Sequence, residues 1–408
     1  MSPVTLDILA TVAVIFGLAL SIGSVAFRRV IRRRIVPKIG SRHSFALFAG
    51  MQILGLGLVA AGVAWNMYSF MLPLPTSGPP EYAVIRVYYG TDRNRTGSED
   101  PEEVFGSERG DLSVGFCDVS IPREHRLGEL EEPSILRLEF REDPEKHVVL
   151  LRVVPQKEAP FFQDLKSRTE TSKKREALVF VHGYNVTFED AARRTAQMAY
   201  DLAFDGPAAF FSWPSKGTYE GYPADETTIA WATPHLKTFL EEIATNSEAK
   251  TVHLIAHSMG NRGLMDALGM IAESARPTAQ SKFQEIVLAA PDIDKDIFVR
   301  DVFPRLAKFS SRVTLYSSSR DKALLASTKF HQYPRAGDTG DGLVIMKDLD
   351  TVDATHVDTS FIGHSYFAEN RSVISDMFYL IGERLPPQMR FGLEPVKDAR
   401  GQYWRFKQ

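Results

Sequence analysis

The second half of the chain alternates apolar strands with amphipathic helices, which predicts an α/β protein: a mostly parallel sheet with helices on both faces. Two further observations set its context. Short β-like runs come before the alternation, and two long uncharged apolar stretches come before those runs. The expected architecture is therefore a two-helix transmembrane hairpin, a β-rich N-terminal extension, and then the α/β core.

The composition agrees with a folded protein. Of 408 residues, 44% are hydrophobic and 11% aromatic, enough for a sizeable core and against a disordered chain. A single cysteine, Cys117, excludes a disulfide-stapled mini-protein, and its place in a β-like run suits a buried residue. The net charge of -3 hides an uneven distribution. Residues 1–80 carry seven basic groups (Arg28, Arg29, Arg32, Arg33, Arg34, Lys38 and Arg42) and one acid, Asp7, a net +6. The other 328 residues hold 41 basic and 50 acidic groups, a net −9.

All seven basic groups lie between two apolar stretches, 8–27 and 44–72, each long enough to cross the hydrocarbon core. Residues 1–72 are thus expected to form the hairpin. Trp65 and Tyr68 fall where headgroups would lie, and Gly50, Gly55, Gly57, Ala61 and Gly62 would let the two helices approach closely. A cleaved signal peptide is disfavoured, because Asp7 precedes the first apolar stretch and the arginines follow it. The positive-inside rule puts the basic loop, 28–43, in the cytoplasm and everything after residue 72 on the outer side of a bacterial inner membrane, which is the periplasm. Residues 73–81 are a proline-rich linker.

Beyond the linker, β-like runs at 84–89, 112–121, 135–140 and 148–154 make a β-rich segment over 82–160. The α/β core follows at 161–385. Strands are predicted at 178–182, 208–213, 252–256, 285–289 and 312–317. Helices are predicted at 188–204, with Ala192, Thr195, Met198, Ala199 and Leu202 on one side, and at 226–245, 259–273 and 366–380. Another helix is expected between the last two strands. Residues 386–408 read as a C-terminal tail.

Chemistry in such a sheet is expected at the carboxyl ends of strands. Ala256-His257-Ser258-Met259-Gly260 directly follows the strand 252–256 and opens a helix. That context suits a nucleophile elbow, a strained turn that presents Ser258 and needs small residues two before and two after it. Ala256 stands where glycine is usual. The competing reading is a serine that only caps the helix. At the end of an earlier strand, His182-Gly183 precedes Tyr184, a turn of the kind that supplies an oxyanion-hole amide. The expected donors are the amides of Tyr184 and Met259.

A serine needs a base, and the base needs an orienting acid. The order nucleophile, acid, histidine selects Asp321, in a loop after the strand 312–317, and His364, just before the helix 366–380. Asp292 and Asp294 are rival acids. His331 and His356 are rival bases without a helix start beside them, and His257 is expected to point away from Ser258 and pack.

Several ordered segments resemble the α/β-hydrolases, specifically a bacterial branch with esterase/lipase-like members once described only as a domain of unknown function (DUF900-like). They are YGTDRN at 89–94, VHGYN at 181–185, FSWPS at 211–215, AHSMGN at 256–261, AAPDID at 289–294, the segment 316–324 and GHSY at 363–366. The resemblance spans 84–382. It implies a Ser–Asp–His triad, matched here by Ser258, Asp321 and His364.

The remaining features are less specific. Ser212-Trp213-Pro214-Ser215, with Tyr219, Tyr222 and Pro223, reads equally as a wall of an acyl pocket or as a tight connection. Lys216 and Arg262, near the proposed site, read as solvated surface charges in preference to contacts for an anionic headgroup. The sequence lacks H-E-x-x-H, paired-cysteine zinc spacing and a P-loop, so neither a metal nor a cofactor is expected. Without a basic stripe, no nucleic-acid partner is expected either. The expected function is a membrane-anchored serine hydrolase acting on a small-molecule or lipid ester. The alternatives are a peptidase or acyltransferase with the same triad, or a non-catalytic envelope scaffold.

Overall fold

The computed structural model describes residues 81–134, 137, 139–274, 281–306, 312–357 and 371–407, with helical residues 15, 17, 18, 49 and 52–61. It divides into two units, one of residues 1–80 with 132–143, the other of 81–131 with 144–408.

In the first unit, an added Cβ at Gly17 would clash with the carbonyl oxygen of Gly55 and lie 3.0 Å from Val59, so the two helical segments meet backbone to backbone there. No helix among the described residues is long and apolar enough to cross a membrane. Most of the expected hairpin, including the basic loop, lies outside the described residues. The β-like run expected at 135–140 is not a strand at its described positions, 137, 139 and 140.

The second unit is built on one sheet of eleven strands: β1 (Tyr82–Arg95), β2 (Phe105–Pro122), β3 (Leu150–Gln156), β4 (Glu176–Val181), β5 (Ala208–Ser212), β6 (Thr251–His257), β7 (Phe283–Ala289), β8 (Arg312–Ser317), β9 (Leu349–Asp353), β10 (Leu393–Asp398) and β11 (Gly401–Phe406). Their order across the sheet is β10-β11-β9-β8-β7-β6-β4-β5-β1-β2-β3. Every pair from β1/β5 to β9/β11 is parallel, and antiparallel pairing is confined to β1–β2–β3 and the β10–β11 hairpin. The expected tail, 386–408, therefore joins the sheet as β10 and β11, with Trp404 beside Val352 of β9.

The helices α1 (Glu158–Thr171), α2 (Phe188–Asp201), α3 (Tyr222–Asn246), α4 (Gly260–Glu273), α5 (Lys322–His331) and α6 (Arg371–Met377) cover the sheet. Residues alternate faces along a strand, so β4 feeds two cores. Val179 and Val181 pack with Leu236, Phe239 and Leu240 of α3 and Leu264 and Leu268 of α4. Leu178 and Phe180 pack with Ala192 and Ala196 of α2 and Val373 and Met377 of α6. All six residues of β4 are buried, which is why its sequence is continuously apolar after Glu176. Each fully buried side chain of this size contributes about 1.5–3 kcal/mol. The start of α2 is fixed by a capping box in which Thr187 accepts from the Asp190 amide and Asp190 accepts from the Thr187 amide.

Candidate active site

β6 ends at His257 and α4 begins at Gly260, leaving Ser258 in the turn with φ of 51°. An L-residue held in that left-handed region costs about 1–2 kcal/mol. Hydrogen bonds over-determine the conformation. The Ser258 amide donates to the carbonyl of Ala289 at 2.9 Å. The Ser258 carbonyl accepts from the amides of Asn261 (3.1 Å) and Asp292 (3.2 Å) and from Nδ2 of Asn261 (3.0 Å). The small residues around the serine have a steric cause. A Cβ on Gly260 would collide with the carbonyl oxygens of His182 and Val181. Ala256 is fully buried between Val181 of β4 and Leu288 of β7.

The turn after β4 lies directly against this elbow. A Cβ on Gly183 would be 2.9 Å from Cβ of Ser258 and 2.9 Å from Nδ1 of His257, so only glycine fits there without displacement. Tyr184 follows, then Asn185 with φ of 55°. Burial, then Tyr219, Asp292 and Asp321, raise the Tyr184 hydroxyl above its ordinary pKa. Tyr184 meets the ring of Tyr222 edge-on at 5.2 Å.

His182 is buried and packed flat on Trp213, their ring centroids 5.1 Å apart. Burial and the neighbouring Arg93 push its pKa down to about 3, so the ring is neutral. Trp213 is fully buried and donates from Nε1 to the His182 carbonyl at 2.8 Å. The segment 212–215 is thus a connection packed against the turn after β4, and not an exposed wall.

The two acid candidates differ in their surroundings. Asp321, buried after β8, caps α5, and both cap bonds, from the amides of Ala323 and Leu324 (3.0 Å each), fall on Oδ1. Asp292, after β7, is enclosed by the Tyr222 hydroxyl, the Ser327 hydroxyl at 2.6 Å, Arg262 Nη2 at 3.2 Å and Arg335 Nε at 3.3 Å. Burial pushes its carboxyl up, but Arg262 leads the groups that hold it below its ordinary value. Asp294 caps the helical turn Lys295–Ile297. His331 is held by Glu226 at 2.8 Å and by Ser327. His364 lies outside the described residues. His356 is exposed in the turn after β9.

Arg262 is not a solvated surface charge: it is paired with Glu226 at 2.6 Å and with the buried Asp292. Lys216 does lie at the surface, paired with the exposed Glu108 at 2.6 Å. Arg93 shows no role in the sequence beyond its motif. It is buried, and its guanidinium reaches Ser212, Ser215, Gly106 and Val186.

A strained serine turn after a central parallel strand, abutted by a His-Gly turn from the neighbouring strand, defines an α/β hydrolase. The chain belongs to the family described as alpha/beta hydrolase of unknown function (DUF900), which matches residues 157–384. That membership makes it a hydrolase without fixing the bond it cleaves. No curated protein matches the sequence.

Proposed function

We propose that this hydrolase is a serine esterase held at a membrane by its N-terminal hairpin. Ser258 attacks the acyl carbon of a carboxylic ester while His364 takes its proton. Asp321 orients the histidine through Oδ2, and the amides of Tyr184 and Met259 hold the oxyanion. The leaving alcohol takes the proton from His364. Water, deprotonated by the same histidine, then splits the acyl-enzyme into free acid and Ser258. The carrying observation is the left-handed Ser258 turn with Gly183 packed on its Cβ.

A fluorophosphonate probe tests the nucleophile. Wild type is expected to label and Ser258→Ala not to; folded wild type that resists labelling would sink the proposal and favour a scaffold. Product analysis with competing alcohols and peptides separates hydrolysis of esters from acyl transfer and amide cleavage.

Two observations support the anchor. Ile53, Leu54 and Leu56 in the helical run 52–61 are 72%, 58% and 62% exposed, an apolar surface suited to lipid. Gly17 also allows the close helix approach common in membrane hairpins. The substrates proposed are esters presented at the outer face of the inner membrane. Hydrolysis of vesicle-borne esters is expected to exceed that of soluble ones, and a periplasmic reporter fused after Gln408 is expected to be active. A silent reporter would reverse the topology.

A further inference from the structure

We infer that Arg93 is a positioning residue for the oxyanion hole, holding the loop that carries the Tyr184 amide at both of its ends; this rests on the esterase reading above. Arg93 enters from β1, where the pairing with β2 is irregular on either side of it. Its Nη2 donates to the carbonyl of Val186 at 2.7 Å, the far end of the loop. The near end is reached through a relay. Arg93 Nε donates to the Ser212 hydroxyl at 2.8 Å, and that hydroxyl lies 3.2 Å from Nε2 of His182. His182 Nδ1 in turn lies 2.7 Å from the carbonyl of Gly183.

The proton positions in this chain follow from its ends. A carbonyl only accepts, so Nδ1 of the neutral His182 carries the proton and Nε2 accepts. The Ser212 hydroxyl therefore donates to Nε2 while receiving from a guanidinium that only donates. Arg93 thus turns the Ser212 proton toward Nε2 and supports the His182 tautomer that donates to the Gly183 carbonyl.

A second set of bonds pins the same far end of the loop. The Val186 amide donates to the Ser215 hydroxyl at 3.3 Å, and Ser215 donates to the buried Asp225 at 2.6 Å. Burial raises the Asp225 pKa, while Ser215 and the main chain of Lys216 and Asn185 stabilise its charge. Arg93 Nη1 adds a bond of 3.0 Å to the Ser215 carbonyl. Tyr184 stands inside this frame, between Gly183 and Val186. A donor amide misplaced by even 1 Å loses its preference for the transition state.

The test compares Arg93→Met, Arg93→Lys and Ser212→Ala with wild type on a soluble nitrophenyl ester, using only active sites counted by fluorophosphonate titration. Arg93→Met is expected to lower kcat per titrated site about 10²-fold, with KM changed no more than about three-fold. Arg93→Lys restores part of it, and Ser212→Ala, which cuts only the relay, loses about ten-fold. Hydrogen exchange at the amides of Asn185 and Val186 is expected to quicken in Arg93→Met. Wild-type kcat per titrated site in Arg93→Met, or unchanged exchange, overturns the inference. Wild type that neither labels nor turns over overturns the esterase reading instead, and the exchange measurement still decides whether Arg93 holds the loop.

Discussion

Gly183 and Ser258 share one contact surface: a Cβ on the glycine would stand 2.9 Å from the Cβ of the serine. The turn after β4 therefore cannot gain a methyl group without moving the turn after β6. Gly183→Ala is expected to lower kcat about 10²-fold by displacing the Tyr184 amide from the oxyanion. Steady-state kinetics of the purified variant check this, and an unchanged kcat would show that the two turns move independently.

Asp292 and Asp321 are separable by what each change disturbs. Asp292 is surrounded by Arg262, Arg335, Tyr222 and Ser327, so Asp292→Ala leaves two guanidinium groups beside an empty site. Removing one partner of such a buried cluster costs about 3–5 kcal/mol, and the expected result is a lower melting midpoint. Asp321→Asn retains the cap bonds on a carbonyl oxygen, so stability is expected to hold while kcat falls up to about 10⁴-fold. Paired melting and rate measurements decide; a reversed pattern would make Asp292 the orienting acid.

The same two aspartates show what was legible in the sequence. Both stand at strand ends that are legible in the sequence, because apolar runs of five or six residues locate the central strands well. Their roles differ through Tyr222, Arg262, Ser327 and Arg335, which come from separate segments and leave no local pattern. Arg93 was obscure for a similar reason: most of its partners are main-chain carbonyls, and it meets Ser215 and Val186 only in the fold. The β10–β11 hairpin was missed because Pro395 weakens the strand signal. The proline is tolerated since β10 is an edge strand. His364 and most of the apolar hairpin fall outside the described residues, so their expected roles rest on the sequence.

His125 forms a clamp far from the serine turn in sequence. Its Nδ1 lies 2.8 Å from Glu131 and its Nε2 2.9 Å from Asp201 on α2. Burial lowers its pKa, but the two carboxylates outweigh that and raise it from 6.5 to about 9. The folded value exceeds the unfolded one, so the clamp stabilises fully below about pH 6.5 and fades as pH rises through about 9. Its contribution is at most about 3 kcal/mol. Denaturant melts of wild type and His125→Gln are expected to differ most below pH 6.5 and to converge above pH 9. A difference independent of pH would show that the ring is held by packing alone.

Ser258 holds a left-handed backbone that a side chain resists, so its geometry trades stability for the placement of its hydroxyl at the turn after β6. Ser258→Ala removes the hydroxyl and keeps the strain. Ser258→Gly removes both, although the flexible unfolded glycine offsets part of the gain. Glycine is therefore expected to be more stable than alanine here by about 1 kcal/mol, with both variants inactive. In a chain of this size that difference raises the melting midpoint by about 1 °C. Scanning calorimetry of the two inactive variants isolates the backbone from the chemistry. Equal midpoints would mean that the bonds from Ala289, Asn261 and Asp292 hold the turn without strain, and the left-handed serine would then cost the fold nothing.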